Sequence, residues 1–542
     1  MSRPWIRSYD KGVPASIDAD AYPSVVALLE DAAKTYGDLP AFECFGAQMT
    51  YAQLDEKSRA VAAYLQTKMG VKRGDRVALM CPNIFAFPVA MMGILRAGAT
   101  QVNVNPLYTP RELSHQLNDA GVETILLFSG STPTLAAILE DTPIKTVVTI
   151  DLGDAIGLPI PTPPVDAGIP NPIKLADVLA EGETLEFAPV TLTGDDTLFF
   201  QYTGGTTGLS KGAVLTHRNL IANSEQFRAY LPEASAPGKE VVVGALPLYH
   251  IFGLTLSLVY LAIGAKIILI PNPRDMDSFV AAIKDAKFSI MAGVNTLFAG
   301  LCMHPEFKKA DFSNYKVSIG GGAAVLEATS DAWKAITGHH IKEGYGLSET
   351  SPILCINPMS VTHFTGACGL PVSSTDIKLL DENDQEVGTG ERGEICAAGP
   401  QIMRGYWNRD DANDEVFTAD GYFRTGDIGV FDEDGYLRIV DRKKDMILVS
   451  GFNVYPNEIE AVVQACPGVA ENACIGMDHE KTGEAPHVFV VKSAGAEVSE
   501  DDIIAHCRQG LAAYKVPQRI TFLNELPKSN VGKILRRELR QS

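Results

Sequence analysis

A stretch rich in glycine and threonine, residues 202–212 with the sequence YTGGTTGLSKG, contains the residue types that bind phosphate. Its glycines let the backbone turn tightly and point N–H groups inward, the threonine hydroxyls add donors, and Lys211 adds a positive charge. The P-loop of common NTPases needs Gly directly before its Lys and Ser or Thr directly after it, whereas Ser210 and Gly212 stand there here. We therefore predict a polyphosphate-binding loop of another kind, with a flexible surface turn as the alternative.

The residues on either side of this stretch predict where it lies in the fold. Residues 197–201 are apolar and aromatic, which is typical of a buried strand, and residues 219–223 favour a helix. The stretch is therefore expected to join a strand to a helix.

Three further motifs carry chemistry. Residues 318–323 (SIGGGA) would let a flat ring approach the backbone, although an ordinary glycine turn explains them equally well. Residues 343–350 (EGYGLSET) offer an aromatic face and a carboxylate suited to Mg²⁺, but a core tyrosine and a solvated glutamate are the alternatives. Residues 424–427 (RTGD) place Asp427 on a tight turn, where it could accept two ribose hydroxyls or simply cap the turn.

Composition limits the class of protein. The chain has 542 residues, which predicts two or more domains, and a formal charge of −20, which argues against general nucleic-acid binding. Nine cysteines without paired spacing indicate a reducing compartment, and the first residues lack a signal peptide. The most apolar stretch, residues 253–270, is interrupted by Lys266, and the part before this lysine is too short to span a bilayer. A cytoplasmic protein is expected, and the basic C-terminal segment leaves peripheral contact with the inner membrane open.

The alternation of strand and helix patterns predicts an α/β fold. The large N-terminal domain, residues 1–440, should have mainly parallel sheets flanked by helices and a small β-rich part at residues 376–437. Residues 151–192 are rich in Pro, Gly and Asp and are expected to form a surface excursion. From Arg442 the pattern changes to a compact α+β unit, so a small mobile C-terminal domain is expected at residues 441–542.

Taken together, the motifs resemble those of the adenylate-forming superfamily, which includes acyl- and aryl-CoA synthetases, luciferases and carrier-loading adenylation domains. The resemblance covers nearly the whole chain and is closest to bacterial long-chain fatty acyl-CoA synthetases. It is carried further by PLYHIFG at 247–253, GVNTLF at 293–298, IVDRKKDMI at 439–447 and PKSNVGKI at 527–534.

This resemblance implies a two-step reaction on ATP, a fatty acid and coenzyme A. The carboxylate oxygen attacks the α-phosphate of ATP, so that pyrophosphate leaves and acyl-AMP forms. The thiol of CoA then displaces AMP. Mg²⁺, ATP and CoA are the implied cofactors and substrates, and homodimer formation stays open.

The resemblance also assigns the residues that contact the nucleotide. The residues expected to bind the β- and γ-phosphates are Thr203, Gly204, Gly205, Thr206, Thr207, Gly208 and Lys211. Those expected to bind Mg²⁺ are Thr203 and Glu349. Those expected to enclose adenine are Gly320, Gly321, Gly322 and Tyr345. Ser348 or Thr350 is expected to contact the α-phosphate, and Asp427 and Arg442 are expected to bind the ribose. Glu343, Gly344, Gly346 and Ile439 complete the nucleotide-binding set.

Catalytic and conformational roles follow from the same resemblance. Lys533 is the expected catalytic cation of the first step, because negative charge develops around the α-phosphate there. His250 is a candidate general base for the thiol, with substrate orientation or simple packing as alternatives. Asp441 is the expected hinge, and Gly451 and Phe452 are expected to line the CoA tunnel once the small domain has rotated.

The acyl pocket is expected to be apolar. Amino-acid-activating relatives place an Asp just after the pocket motif, whereas Ile251 to Leu254 offer no charge. The expected lining residues are Ile251, Gly253, Leu254, Leu256, Val294, Leu297 and Phe298. Leu254 departs from some long-chain relatives, which carry an aromatic gate there. Medium- to long-chain fatty acids are therefore the predicted substrates, while transfer to a carrier protein and a non-catalytic regulator remain alternative hypotheses.

Overall fold

The structure is a computed structural model that describes residues 3–203, 210–450, 452–479, 482–529 and 532–540. Its contacts divide the chain into two compact units. The larger unit contains residues 8–375 and 398–415, and the smaller unit contains residues 1–7, 376–397 and 416–542.

The described part of the larger unit contains two sheets. Its strands are β1 (Pro40–Cys44), β2 (Ala47–Thr50), β3 (Arg76–Met80), β4 (Thr100–Asn103), β5 (Thr124–Phe128), β6 (Thr146–Ile150), β7 (Ile173–Lys174), β8 (Thr197–Thr203), β9 (Lys211–Thr216), β10 (Val241–Gly244), β11 (Lys266–Leu269), β12 (Ile290–Gly293), β13 (Val317–Gly320), β14 (Lys342–Gly346), β15 (Ile353–Ile356) and β16 (Leu370–Pro371). Sheet A has the order β16-β15-β14-β13-β12-β10-β11-β1-β2, and sheet B has the order β7-β6-β5-β3-β4-β8-β9.

Both sheets are mainly parallel, as predicted. Antiparallel pairing is confined to the margins, where β2, β15 and β16 extend sheet A and β9 extends sheet B. The connecting helices are α1 (Val25–Tyr36), α2 (Tyr51–Thr67), α3 (Ala86–Arg96), α4 (Pro110–Ala120), α5 (Thr132–Ala136), α6 (Leu175–Gly182), α7 (His217–Tyr230), α8 (Ile251–Leu261), α9 (Met276–Ile283), α10 (Asn295–Met303), α11 (Glu327–Thr337) and α12 (Asp410–Val416).

The smaller unit has a β-rich part and an α+β part. Its strands are β17 (Asp376–Leu380), β18 (Gly393–Ala398), β19 (Phe423–Phe431), β20 (Leu437–Arg442), β21 (Ile447–Val449), β22 (Phe452–Val454), β23 (Val469–His479), β24 (Gly483–Lys492) and β25 (Arg519–Leu523). Its helices are α13 (Pro456–Gln464), α14 (Glu500–Gly510) and α15 (Arg536–Leu539). Strands β17 to β20 form one sheet, and β21 to β25 form another.

Local sequence rules explain where the helices begin. In α4, Thr109 accepts a hydrogen bond from the backbone of Glu112, whose side chain in turn accepts one from the backbone of Thr109. Pro110 occupies the first turn, and Gly121 ends the helix with a left-handed φ of 61°. Consecutive residues of the chain therefore specify both ends of this helix.

Two expectations about segments are wrong. The phosphate-loop stretch does not join a strand to a helix, because Lys211 begins β9, which pairs antiparallel with β8, and the helix starts only at His217. Residues 151–192 are not simply a surface excursion, because they contain β7 and α6. The apolar spacing of Leu175 and Val178 buries one face of α6, which outweighs the surrounding Pro and Gly.

The contacts divide the chain at other positions than the predicted domains 1–440 and 441–542, which stay a prediction. Contacts group the β-rich residues 376–397 with the C-terminal part of the chain, whereas the boundary near Asp441 was expected from the change of pattern. A hinge at Asp441 concerns movement, so it stays a prediction.

The structure shows the state of the cysteines and the lengths of the apolar helices. All nine cysteines are free and buried, and they pack as small apolar residues do. Across the described residues, no helix combines the length and the apolar character needed to cross a bilayer.

Candidate nucleotide and acyl site

The carboxyl ends of the parallel strands β12 and β13, next to β14, bring several predicted site residues together. The register of sheet A aligns Gly293 of β12 with Gly320 of β13, and Gly320 with Glu343 of β14. The backbone N–H of Gly321 also donates to the carbonyl of Gly293 at 3.2 Å. In open α/β sheets ligands bind at this edge. The glycine run, Val294 and the Glu343 motif therefore lie at one edge of one sheet.

The glycine run allows a close approach of two segments. A β-carbon on Gly321 would lie 2.9 Å from the ring of Phe252, which follows the first residue of α8. Gly322 has a φ of +77°, and a β-carbon there would lie 3.7 Å from Val294. The residues predicted to hold adenine thus adjoin the segment predicted to hold the acyl chain.

Gly346 permits the turn that follows β14. A β-carbon on Gly346 would lie 1.7 Å from the carbonyl oxygen of Pro352, whereas one on Gly344 would come no nearer than 3.4 Å to its neighbours. Between these two glycines, Tyr345 is buried. The backbone at Gly346 therefore has no room for a side chain.

We expect Gly346→Ala to lower the free energy of unfolding by about 3 kcal/mol, since the clash is with backbone, and Gly344→Ala to lower it by no more than about 1 kcal/mol. Urea unfolding followed by tryptophan fluorescence would measure both. Equal unfolding midpoints for the two variants would contradict this account of the turn.

The short turn Ser348–Thr350 narrows the choice of α-phosphate ligand. The Thr350 hydroxyl is fully buried and is bonded within the turn, accepting from the N–H of Leu347 at 2.9 Å and donating to the carbonyl of Pro352. Ser348 is only half-buried. Of the two residues predicted for the α-phosphate, Ser348 is the one whose hydroxyl the turn leaves more accessible.

Glu349 is buried, with an exposed fraction of 7%, and one side-chain donor orients it. The hydroxyl of Tyr406 donates to Glu349 Oε1 at 2.7 Å, while the Nζ of Lys211 lies 5.1 Å from the centre of the Tyr406 ring. The hydrogen bond from Tyr406 does not neutralise the Glu349 carboxylate, because Tyr406 is a neutral donor. A buried carboxylate of this kind favours binding of a cation.

These residues fit the Mg²⁺ ion that the resemblance implies. Strand β8, which ends at Thr203, and strand β9, which begins at Lys211, both pack against the turn that contains Glu349. The described residues hold no cluster of three or more His, Cys, Asp or Glu side chains arranged for a metal. Mg²⁺ does not require one, since it commonly uses one or two carboxylates together with substrate phosphates.

The described ends of the phosphate loop are held on both sides. Thr203 pairs with Lys211 across the β8–β9 ladder, and a ring nitrogen of His115 lies 2.8 Å from the carbonyl oxygen of Ser210. The predicted ligands Gly204, Gly205, Thr206, Thr207 and Gly208 lie outside the described residues. The structure therefore fixes where the loop begins and ends.

His250 caps helix α8. Its Nδ1 accepts the backbone N–H of Phe252 at 3.3 Å, so a neutral ring carries its proton on Nε2. This cap fixes the ring at the start of α8, which supports an orienting role. The base remains a prediction.

The expected acyl-pocket residues differ in accessibility. Ile251 and Leu254 are almost fully buried in α8, and Phe298 packs in the core with its ring 4.8 Å from that of Trp333. Val294 is half-buried beside the glycine run. Of these four, Val294 is the best placed to contact a ligand.

In the smaller unit, Asp427 and Arg442 stand opposite each other on β19 and β20. Their side chains approach to 3.5 Å, between Arg442 Nε and Asp427 Oδ1, and Asp427 is 5% exposed. Ile439, on the same strand as Arg442, is 36% exposed. The predicted ribose residues are thus neighbours in one ladder.

Asp441 is fully buried at the end of β20 and ties this strand to helix α13. Its carboxylate accepts the backbone N–H groups of Arg442 and Asn457, both at 2.7 Å. Arg536 Nη1 lies 3.8 Å away. Burial raises the pKa of Asp441 to about 6.

Phe452, 56% exposed, stacks on Tyr514, while its neighbour Gly451 lies outside the described residues.

Lys533 lies near Asp427 and Arg442. Burial, reinforced by the like charge of Arg442, lowers the pKa of Lys533 to about 8, and Asp427 opposes that shift. The three residues predicted for the ribose and for the catalytic cation are therefore electrostatically coupled within the smaller unit.

This pKa predicts a pH dependence for the first reaction step. The protonated amine predominates below about 8 and is lost above it, so acid-dependent ATP–pyrophosphate exchange should fall about tenfold per pH unit on the alkaline side. Lys533→Arg should remove this fall, since a guanidinium stays charged. A pH–rate profile from about pH 6 to about pH 10 tests it. An unchanged alkaline limb in the arginine variant would assign the titration to another group.

Comparison with known proteins decides the family. Residues 29–407 match the family described as AMP-binding enzyme, and residues 458–533 match the AMP-binding enzyme C-terminal domain. The chain belongs to this family. The AMP-binding enzyme is 49% identical over 552 residues to a long-chain-fatty-acid–CoA ligase of Salmonella typhimurium, covering 100% of this chain and 98% of the relative. A ligase of the same name from Bacillus subtilis is 34% identical over 550 residues, covering 99% and 97%.

Solved structures agree with this assignment. ATP-bound MatB from Rhodopseudomonas palustris matches the AMP-binding enzyme with a TM-score of 0.84 and 31% identity, covering 95% of this chain and 98% of MatB. A fatty acyl CoA synthetase of Mycobacterium tuberculosis matches with a TM-score of 0.72 and 30% identity, covering 96% and 98%. The predicted α/β fold is confirmed.

Sequence reasoning missed Tyr406, which contacts both Lys211 and Glu349. The residue lies in GYW at 405–407, and only its pairing beside β9 brings it to the site. An aromatic residue within a glycine-containing turn was the one available signal, and it is weak by itself.

Proposed function

We propose that this AMP-binding enzyme is an AMP-forming ligase that activates medium- to long-chain fatty acids and transfers them to coenzyme A. The observation that carries the proposal is identity of 43% to 49% over the full length to several ligases named for long-chain fatty acids. An activity named for so many relatives of this length and identity is the best supported one.

The first step joins the carboxylate to AMP. A carboxylate oxygen forms a bond to the α-phosphorus of ATP, and the bond to pyrophosphate breaks. Lys211 and the loop that precedes it hold the outgoing phosphates, Ser348 contacts the α-phosphate, and Asp427 accepts the ribose hydroxyls. Lys533 stabilises the charge that develops at the α-phosphate and the attacking oxygen.

Mg²⁺, held by Glu349 and Thr203, would supply charge neutralisation of the phosphates. In the second step the CoA sulfur bonds to the acyl carbon, and AMP leaves with the oxygen that came from the acid. Phe452 and Gly451 line the path of the pantetheine, and His250 orients the reacting groups. Between the two steps, the C-terminal domain rotates about Asp441. This rotation removes Lys533 from the site and brings in the loop that contains Gly451 and Phe452.

The apolar start of α8 supports the choice of acid. Ile251, Phe252 and Leu254 provide no charge to pair with an amino group or a second carboxylate. Each methylene that such a pocket buries adds about 0.8 kcal/mol to binding, so affinity should rise with chain length until the pocket is filled.

Release of AMP with a panel of acids, measured with and without CoA, tests the proposal. We expect release to require both a fatty acid and CoA for multiple turnovers, and kcat/KM to rise with the number of methylenes. A clear preference for an aryl or amino acid would overturn the proposed substrate.

The acceptor is tested separately. Free CoA and a phosphopantetheine-bearing carrier protein are supplied in parallel, and thioester formation is followed for each. Thioester on the carrier alone would favour the acyl-AMP ligase alternative. Absence of acid-dependent exchange altogether would favour the non-catalytic regulator, although Lys211, Glu349, Asp427, Arg442 and Lys533 are all present.

A further inference from the structure

Tyr406 makes two different contacts with groups of opposite charge. Its hydroxyl donates to Glu349 Oε1 at 2.7 Å, and its ring faces the Lys211 amine at 5.1 Å. The first is a hydrogen bond from a neutral donor to a carboxylate, and the second is a cation–π contact. One side chain therefore touches both the predicted metal carboxylate and the predicted phosphate lysine.

The backbone of Tyr406 is fixed by β9, the strand that begins at Lys211. Val214 donates to the carbonyl of Gly405 at 2.9 Å, and Trp407 donates to the carbonyl of Gly212 at 2.8 Å. Ala213 and Tyr406 form the antiparallel bridge between them. The spacing of Tyr406 from Lys211 is therefore set by strand pairing.

A second set of bonds fixes Tyr406 from the other side. The side chain of Asn413 makes hydrogen bonds to both backbone groups of Tyr406. It accepts from the N–H at 2.7 Å and donates to the carbonyl at 3.0 Å. The N–H of Met403 donates to the backbone carbonyl of Glu349 at 2.8 Å. The segment that carries Tyr406 is thus attached to the Glu349 turn as well as to β9.

The chemistry of a tyrosine suits this position. A phenol hydroxyl is neutral at ordinary pH, and that of Tyr406 donates to Glu349 Oε1. A neutral donor orients the carboxylate without cancelling its charge, and an aromatic face holds an amine without neutralising it. A direct ion pair between Lys211 and Glu349 would withdraw both charges from a ligand.

We propose that Tyr406 is a positioning residue that keeps Glu349 and Lys211 apart and oriented, so that the carboxylate receives the magnesium ion and the amine receives the phosphates of one MgATP. This inference rests on the proposed function. It assigns Tyr406 a role in assembling the site and none in bond making.

Three variants separate the two contacts. Tyr406→Phe removes the bond to Glu349 and keeps the ring beside Lys211, whereas Tyr406→Leu removes both contacts. Tyr51→Phe is the matched control, because the Tyr51 hydroxyl donates a buried hydrogen bond of the same length, 2.7 Å, to the carbonyl of Ala265, away from the site. Thermal unfolding of all three reports any general loss of stability.

ATP binding is measured by calorimetry on the full chain, with Mg²⁺ titrated at fixed ATP and without acid or CoA. For Tyr406→Phe, the Mg²⁺ concentration at half-saturation should rise about 10-fold, while Tyr51→Phe should match the parent. With Mg²⁺ removed by chelation, Tyr406→Phe should bind ATP as the parent does, whereas Tyr406→Leu should bind about 2- to 5-fold more weakly.

A double variant ties the effect to Glu349. If Tyr406 acts through this carboxylate, adding Tyr406→Phe to Glu349→Gln should leave the Mg²⁺ requirement where Glu349→Gln alone puts it. A Tyr406→Phe titration identical to that of Tyr51→Phe would overturn the inference, as would a full additional shift in the double variant. If the parent activates fatty acids in either of these cases, the inference alone fails. If the parent binds MgATP without activating any acid, the proposed function fails, and the Mg²⁺ shift still decides the role of Tyr406.

Discussion

Lys533→Ala is expected to lower acid-dependent ATP–pyrophosphate exchange by about 1,000-fold, the range seen when a group that stabilises transition-state charge is removed. The same variant should still convert supplied acyl-AMP and CoA to the thioester at close to the parent rate, because the proposed turn of the C-terminal domain removes Lys533 from the phosphate before that step. The two assays on one variant therefore separate the half-reactions.

Lys528→Ala is the matched control for this prediction. Lys528 lies in the same C-terminal segment and pairs with Glu471 at 2.6 Å, an ion pair that is partly exposed and worth little. We expect exchange by Lys528→Ala to stay within about twofold of the parent. Exchange by Lys533→Ala at the parent rate would show that the assigned role is wrong.

Asp427→Ala is expected to raise the KM for ATP about 100-fold. Each hydrogen bond between a carboxylate and a hydroxyl contributes about 1.5 kcal/mol or more, and Asp427 is assigned two of them on the ribose. The effect should appear in exchange measured at varied ATP, with the KM for the acid nearly unchanged.

An exposed aspartate on β23 provides the control. Asp478→Ala removes a carboxylate from the same unit without touching the β19–β20 ladder, so the KM for ATP should stay unchanged. If both variants raise this KM equally, or neither does, Asp427 does not bind the nucleotide.

The parts of the fold that depend on local rules could be predicted from the sequence. Helix α4 is one case, because its cap, first-turn proline and terminal glycine are all consecutive in the chain. The parallel sheets are another, because strand and helix patterns alternate at short intervals. In both cases neighbouring residues contain the whole signal.

The errors arise where tertiary pairing outweighs local pattern. Residues 211–216 become a strand because β8 is available as a partner, and the glycines before them gave no sign of a second strand. Tyr406 reaches Glu349 across 57 residues and only because its segment lies beside β9. A single sequence without homologues contains no record of such pairings.

Motifs together with the family resemblance predicted Lys211, Glu349, Asp427, Arg442 and Lys533 as site residues, and their roles stay predictions. The structure added what motifs lack: the direct opposition of Asp427 and Arg442, the cap formed by His250, and the engaged hydroxyl of Thr350.

The central claim is that a carboxylate oxygen attacks the α-phosphorus of ATP before the acyl group reaches sulfur. A fatty acid labelled with ¹⁸O in both carboxyl oxygens tests it most directly, with mass analysis of the products formed in the presence of CoA. The account predicts AMP carrying one ¹⁸O atom, in a 1:1 ratio to acyl-CoA that retains the other. Unlabelled AMP, or ADP formed together with labelled phosphate, would contradict it.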